Sequence, residues 1–314
     1  MKPLLIVNPH AGGGRTGTTF EAMRAEITRS LGDIDVALTD GARHATDIAY
    51  RAALDGRATV VAVGGDGSIH EVVNGLMQAK EQGARATRLG IIAQGTGGDF
   101  RKSLGLEPKL AHACSVLASG RTRMIDVGRF SAGSEDGQGE RNGFFINILS
   151  IGVGGLVDRY VAQSKRRFGG TIAYFIASAR SLLESAIGVV ACTIQEGTVT
   201  REKEITTRCM AICNGRFFGS GMEIAPMAKL DDGVFDVIDL GSASRFEFAT
   251  MNSKVYSGRH VLHPNVQHFR CTRITMELVN KEVRERFLLD IDGEPLGRMP
   301  LTIEVMPAAL EIFA

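Results

Sequence analysis

Short apolar runs alternate with amphipathic stretches through the first 128 residues. LLIVN (4–8), DVALT (35–39), VVAVG (60–64) and LGIIAQ (89–94) read as strands, and helical periodicity fits 17–31, 43–55 and 68–79 between them. Val60 to Val63 is a β-branched run of the kind buried on both faces of a sheet. Ile69, Val72, Val73, Leu76 and Met77 then fall on one helical face. Ser68, with Glu71 three residues on, reads as a capping box that starts this helix. The rhythm predicts a parallel sheet with helices on both faces, binding its ligand beyond the carboxyl ends of the strands.

From about residue 130 the pattern changes. SAGSEDGQGERNG (131–143) reads as an exposed polar loop, followed by a helical stretch near 154–184. Then come the strand-like runs VVACTI, TRCMAICN, GVFDVIDL, RITMEL, RFLLDI and LTIEVM. The expected organisation is an α/β domain over 1–128 and a β-rich, mainly antiparallel domain over 129–314, the last residues being candidates for return to the first domain.

Composition narrows the function. A net charge of +1 gives no support for a nucleic-acid partner. No run approaches ~18 apolar residues, so no transmembrane helix is expected, and Asn8 and Pro9 end the first apolar run too early for a signal peptide. The five cysteines are scattered without metal-site spacing, which makes a reduced cytosolic setting the default. Cys209 and Cys213 read as core residues of one strand. His260, His263 and His268, in a turn-rich segment, read as surface histidines rather than ligands.

Glycine is the departure. The chain has 38 in 314 residues, about 12% against roughly 7% ordinarily. Three predicted strands end in glycine loops: NPHAGGG, GGDGS and GTGGDF. Together they make one polyanion cradle more economical than three unrelated turns, because glycines permit positive φ and close approach and helix starts attract phosphate. No G-x-x-x-x-G-K-[ST] sequence is present, so this is not a P-loop. Asp66 sits as an anion among anion-attracting groups. It reads as a metal partner or a proton acceptor, the structural alternative being an Asx turn on its own backbone.

Seven segments in order resemble the diacylglycerol kinase catalytic family of lipid kinases, which includes sphingosine and ceramide kinases, across nearly the whole chain. They are NPHAGGG (8–14), GGDGSIHEVVNGL (64–76), GTGGDF (95–100), IDVG (125–128), NGRFFGSGMEIAP (214–226), KLDDGVFDV (229–237) and DIDGEPL (290–296). HEVVNGL is especially like the sphingosine kinase branch. The resemblance implies an α/β nucleotide-binding domain of the NAD kinase/diacylglycerol kinase type, followed by a β-rich sandwich domain. It also implies ATP as phosphoryl donor and Mg²⁺ as cofactor. By the same resemblance Asn8, Gly12, Gly64, Gly65, Gly67, Ser68 and Thr96 cradle the nucleotide. Thr39 matches a nucleotide contact, with a cap or turn role as its equal. Asp66 and Glu294 compete for the role of proton acceptor, and Asp99 and Asp126 join an acidic Mg²⁺ network. A second, structural Mg²⁺ site is implied at Asp232 with the carbonyls of Lys229 and Val234, an ordinary Asp-Gly hairpin turn being its rival. Two departures stand out: Gly98 where Asn is usual, and Arg101-Lys102 in place of Ala-Arg.

The expected activity is ATP- and Mg²⁺-dependent phosphorylation of the primary hydroxyl of a membrane lipid, diacylglycerol first. The alternatives are a ceramide or sphingoid-base kinase, more distantly an NAD kinase, and a nucleotide-sensing protein without turnover. The expected location is cytoplasmic, peripheral at the inner membrane face, with anionic lipid as a partner and a homodimer as an open state. Lys165, Arg166 and Arg167, before the aromatic stretch around Tyr174 and Phe175, read as a docking cluster, with a solvated charge run as the alternative.

Overall fold

The computed structural model describes residues 1–134, 139–163 and 180–314. Residues 1–127 with 307–314 form one compact unit and residues 128–306 another. The Lys165–Arg167 cluster and the aromatic stretch after it lie outside the described residues, apart from the end of that stretch.

In the first unit strands and helices alternate: β1 (Leu4–Val7), α1 (Arg15–Leu31), β2 (Asp35–Leu38), α2 (His44–Leu54), β3 (Thr59–Gly64), α3 (Asp66–Glu81), β4 (Arg88–Ala93), α4 (Asp99–Ser103) and α5 (Leu110–Ser119). The strands run parallel in the order β2-β1-β3-β4, in register at Val7↔Leu38, Val7↔Val63 and Val63↔Ile92. At the free side of β4, Ile312, near the end of β17 (Glu294–Phe313), pairs with Leu89. Leu5, Val7, Ile27, Val61, Val63 and Ile92 are buried in one core. This is why these strands read as apolar runs rather than as alternating patterns.

Gly75, in the middle of α3, is a packing residue. A Cβ there would stand 2.3 Å from the Thr46 carbonyl oxygen of α2. Glu71, one turn earlier, reaches across to accept from the Arg43 and Ala45 amides at 2.9 and 3.1 Å, so it caps α2 instead of its own helix. The capping-box reading of Ser68 and Glu71 is therefore corrected. The N-cap of α3 is Gly65, with no side-chain cap, and Ser68 bonds elsewhere.

The second unit is mainly antiparallel. β7 (Ile148–Gly152), β10 (Cys209–Cys213), β13 (Phe235–Asp239), β14 (Gln267–Cys271), β16 (Leu288–Ile291) and the start of β17 run in the order β14-β13-β10-β7-β16-β17. β8 (Gly188–Glu196), β9 (Val199–Thr207) and β15 (Arg273–Leu278) add the order β9-β8-β15-β17. Leu149, Met210 and Val237 from the first set share a core with Val190, Ile274 and Ile303 from the second, the arrangement of a sandwich. β11 (Phe217–Phe218) and β12 (Met222–Glu223) form a small hairpin. β5 (Thr122–Gly133) and β6 (Glu140–Phe145) pair from Gly128↔Phe145 to Gly133↔Glu140, so strands occupy both ends of the stretch read as a loop. Of the long helix expected near 154–184, α6 (Val153–Gln163) is described.

The surface reading of the histidines holds for exposed His268 and needs correction at His260. His260 is fully buried, with Nε2 2.9 Å from the Ile224 carbonyl oxygen. His268 Nε2 lies 2.7 Å from Asp236 Oδ1. The Ile224 carbonyl, 36 positions before His260, was invisible in the local sequence. The five cysteines are buried and free.

Candidate active site

Parallel β1, β3 and β4 deliver their three glycine loops to one sheet edge, where Gly12, Gly64 and Gly95 have no room for a side chain. A Cβ on Gly95 would fall 2.6 Å from Gly65 Cα, and one on Gly12 would fall 2.8 Å from the Gln94 carbonyl oxygen. One on Gly64 would meet Ser68 Oγ at 2.4 Å. The room at Gly64 is used by a bond across loops, Asn8 Nδ2 donating to Ser68 Oγ at 3.0 Å. Further ties run from Asn8 N to Val63 O at 2.9 Å and from Gln94 N to Gly64 O at 2.7 Å. Gly12 takes a φ of 63°, but Gly64, Gly65 and Gly67 are not in the left-handed region. At Gly64 and Gly65, close approach is what excludes a side chain.

The first turn of α3, beginning at Asp66 and Gly67, offers N–H groups that no helical carbonyl can satisfy. Thr39 follows β2 beside β1, buried, its amide donating to Val7 O at 2.9 Å. Thr96 is exposed in the loop after β4.

Asp66 has a partner set that the local sequence does not disclose. Its Oδ2 accepts from the amides of Gly98 at 2.9 Å and Asp99 at 3.3 Å, and its Oδ1 from that of Phe100 at 3.2 Å. It thus organises the GTGGDF loop rather than closing an Asx turn on itself. Those bonds occupy three of roughly four acceptor positions of a carboxylate. Burial, and secondly the like charge of Asp99, push the Asp66 carboxyl above its ordinary pKa, against the pull of the three amides. Asp66 Oδ2 and Asp99 Oδ2 face the same bare backbone, 3.2 and 3.6 Å from where a Gly97 Cβ would stand. Lys102 Nζ, 3.2 Å from Asp99 Oδ1, offsets part of this negative charge. A hard divalent cation with oxygen ligands fits such a pair, because it relieves the same repulsion.

Gly98 has φ 61° and ψ 38°. Asn and Gly are the residues that most readily take this left-handed conformation, so Gly for Asn keeps the backbone and gives up one side-chain amide. Arg101 hydrogen-bonds to the Leu106 carbonyl, which keeps its charge local. Asp126 is buried on β5, where Oδ1 accepts from the Ala308 amide at 2.7 Å. The charge that acts on Asp66 is that of Asp99.

The second unit holds the remaining candidates. Glu294 is exposed at the start of β17, behind a two-residue turn in which Asp292 and Gly293 both have positive φ, 50° and 87°. Asp292, missed in the sequence, is the anchor of this turn. Its Oδ1 accepts from the amides of Asn147 at 3.0 Å and Ile148 at 3.1 Å, and its Oδ2 from that of Ile146 at 3.2 Å. The NGRFFGSG segment is tied to the same place, Asn214 Nδ2 donating to Ile146 O at 2.8 Å and Asn147 Nδ2 to Phe217 O at 2.8 Å. Asp232 lies in a turn before β13 with Gly233 at φ 76°, and its carboxylate pairs with Arg270 of β14. Among the described residues, no cluster of three or more His, Cys, Asp or Glu side chains is arranged to hold a metal ion. A site built on Asp232 would have to rest mainly on backbone carbonyls.

Comparison with known proteins places the chain in a family. The family profile described as "Diacylglycerol kinase catalytic domain" matches residues 2–130, and "YegS C-terminal NAD kinase beta sandwich-like domain" matches residues 147–314. A diacylglycerol kinase of Bacillus subtilis is 31% identical over 299 residues, covering 94% of this chain and 90% of that protein. One from Staphylococcus carnosus is 24% identical over 310 residues, covering 98% of this chain and 94% of that protein. The crystal structure of a diacylglycerol kinase from Bacillus anthracis superposes with a TM-score of 0.70 at 21% identity, covering 99% of this chain and 96% of that one.

Proposed function

We propose, from the premise that this chain belongs to the diacylglycerol kinase catalytic family of lipid kinases, that it transfers the γ-phosphoryl group of ATP to the primary hydroxyl of diacylglycerol. The observation that carries this reading is the meeting of three strand-end glycine loops around Asp66. Bare backbone and the first turn of α3 suit a triphosphate, whose transfer requires positioning and charge neutralisation more than covalent chemistry. Asn8, Gly12, Gly64, Gly65, Gly67, Ser68 and Thr96 would form that cradle, and Thr39 stands at the same sheet edge. A bound Mg²⁺, held by Asp66 and Asp99 with Asp126 in the same acidic network, would neutralise phosphate charge. The remaining acceptor position of Asp66 could take the hydroxyl proton, and the family resemblance offers Glu294 as the other candidate.

Packing accounts for two of the residues of HEVVNGL without reference to the acceptor. Glu71 caps α2 and Gly75 lets α2 and α3 touch, so both residues are occupied with packing. A radiolabelled-ATP assay against diacylglycerols, ceramides, sphingoid bases and NAD, with products identified by mass spectrometry, tests the reading. Labelled phosphatidic acid as the main product is expected; a labelled sphingoid base or NADP in its place overturns it.

Two predictions arise from these carboxylates. If the ionised form of Asp66 is the active one, rate falls as pH drops through a pKa above the ordinary Asp value of about 3.9. Asp99→Asn removes a cause of that rise, so the acidic limb of the kcat/KM profile should move to lower pH even if the maximal rate falls. An unmoved limb would separate that limb from Asp66. For Asp232, a structural Mg²⁺ site requires melting to rise with Mg²⁺ and Asp232→Ala to abolish that rise. Equal Mg²⁺ responses in parent and variant would leave Arg270 as the working partner of this turn.

A further inference from the structure

We infer that α7 (Arg245–Val255) and the turn after it form a docking surface for bilayers of anionic phospholipid. This rests on the lipid-kinase reading for its purpose, though not for its geometry. Phe246 and Leu262 are 81% and 82% exposed, and Tyr256 is 51% exposed. The two ends of the segment are brought together. Glu247, next to Phe246, accepts from Asn265 Nδ2 at 2.7 Å and lies 3.7 Å from His263 Nε2, so the stretch after Leu262 folds back onto the first turn of α7. Buried His260, bonded to the Ile224 carbonyl, anchors this turn while its neighbours Arg259 and Leu262 point outward.

Between helix and turn lies an open groove of ≈ 520 Å³, lined by Lys254, Ser257, Arg259, Leu262 and His263 among others. Of the neighbouring acids, Glu223 pairs with Arg216, and Glu247 accepts from Asn265 and faces His263 at 3.7 Å. Among the described residues no acidic side chain pairs with Lys254 or Arg259. Two cations without an ion-pair partner among the described residues, with a hydroxyl beside them, suit a phosphodiester headgroup. Leu262, which lines the groove, and Phe246, exposed in the first turn of α7, suit insertion among acyl chains. An acidic protein partner would also satisfy the cations, but a lipid acceptor requires contact with a membrane, which favours the bilayer.

The test is vesicle co-sedimentation without ATP, comparing pure phosphatidylcholine with an equimolar mixture of phosphatidylcholine and phosphatidylglycerol. The parent protein should partition to the mixed vesicles. The Lys254→Gln/Arg259→Gln variant should lose roughly thirtyfold in that partitioning, two contacts of about 1 kcal/mol each, with the difference shrinking at high salt. Phe246→Ser/Leu262→Ser should weaken binding by about tenfold or more. All four side chains are exposed, so both variants should melt as the parent does. Kinase rate on a short-chain soluble diacylglycerol should be unchanged in both, and this arm reads the functional assignment separately. Parent-like sedimentation of both variants, or no sedimentation of the parent on either vesicle, overturns the docking surface whatever the kinase assay gives.

Discussion

The Asp66→Asn variant is expected to lose a factor of about 10²–10⁴ in turnover while still binding nucleotide measurably. The amide is nearly isosteric, but it cannot take a proton at neutral pH and carries no charge toward a cation. It also offers one acceptor oxygen where the carboxylate offers two, and the native oxygens serve the amides of Gly98, Asp99 and Phe100. Some loosening of that loop should therefore appear as a modest rise in the KM for ATP beside the much larger fall in kcat. Glu294→Gln is the comparison. If Glu294 is the proton acceptor, its kcat falls by a similar factor with the KM for ATP unchanged. Near-parental kcat in both variants would exclude both residues as the base. A fall confined to the KM in Asp66→Asn would leave Asp66 a loop anchor only.

Asp292→Ala should be the most destabilising single substitution proposed for the second unit, costing on the order of 4 kcal/mol. It removes the acceptor for three amides at residues 146–148, where the backbone is buried. Each buried donor left without a partner costs about 1–3 kcal/mol, and alanine also fits a φ of 50° less well than aspartate. Asp292→Asn tolerates that φ and keeps one acceptor oxygen, so it should lose roughly half as much. Urea unfolding followed by circular dichroism measures both variants. A loss below about 1 kcal/mol for the alanine variant would mean that the amides find other acceptors. Because Glu294 follows the same turn, a variant that stays folded yet loses activity would locate the damage at that residue.

What was legible in the sequence was whatever local spacing encodes. Apolar runs marked β1 to β4 because a doubly covered parallel strand is apolar on both faces, and α3 showed in the periodicity from Ile69 to Met77. The glycine clusters showed that backbones approach something. What they approach first is one another, Gly65 against Gly95, a fact of tertiary contact that no window of sequence contains. The same limit explains the errors. Ser68-x-x-Glu71 has the spacing of a cap, but Asn8 and α2 compete for those side chains from 26 to 60 positions away. His260 looked like a surface residue because the strand-end carbonyl it meets lies 36 positions earlier. Asp292 gave no local signal of its role, because a carboxylate in an Asp-Gly turn has an adequate local explanation. Its three amide partners lie some 145 residues back.

The pairing of Ile312 with Leu89 bears on how the chain is made. The first unit includes residues 307–314, so its sheet stays one strand short until residue 312 has left the ribosome. Until then the free side of β4 is an open parallel edge, a surface that recruits stray strands, and closing it requires a contact of very long sequence separation, the slow kind to form. A fragment ending at residue 127 would carry that open edge permanently. Residues 307–314 therefore belong in any attempt to produce the first unit alone, supplied through a short engineered linker or as a separate peptide.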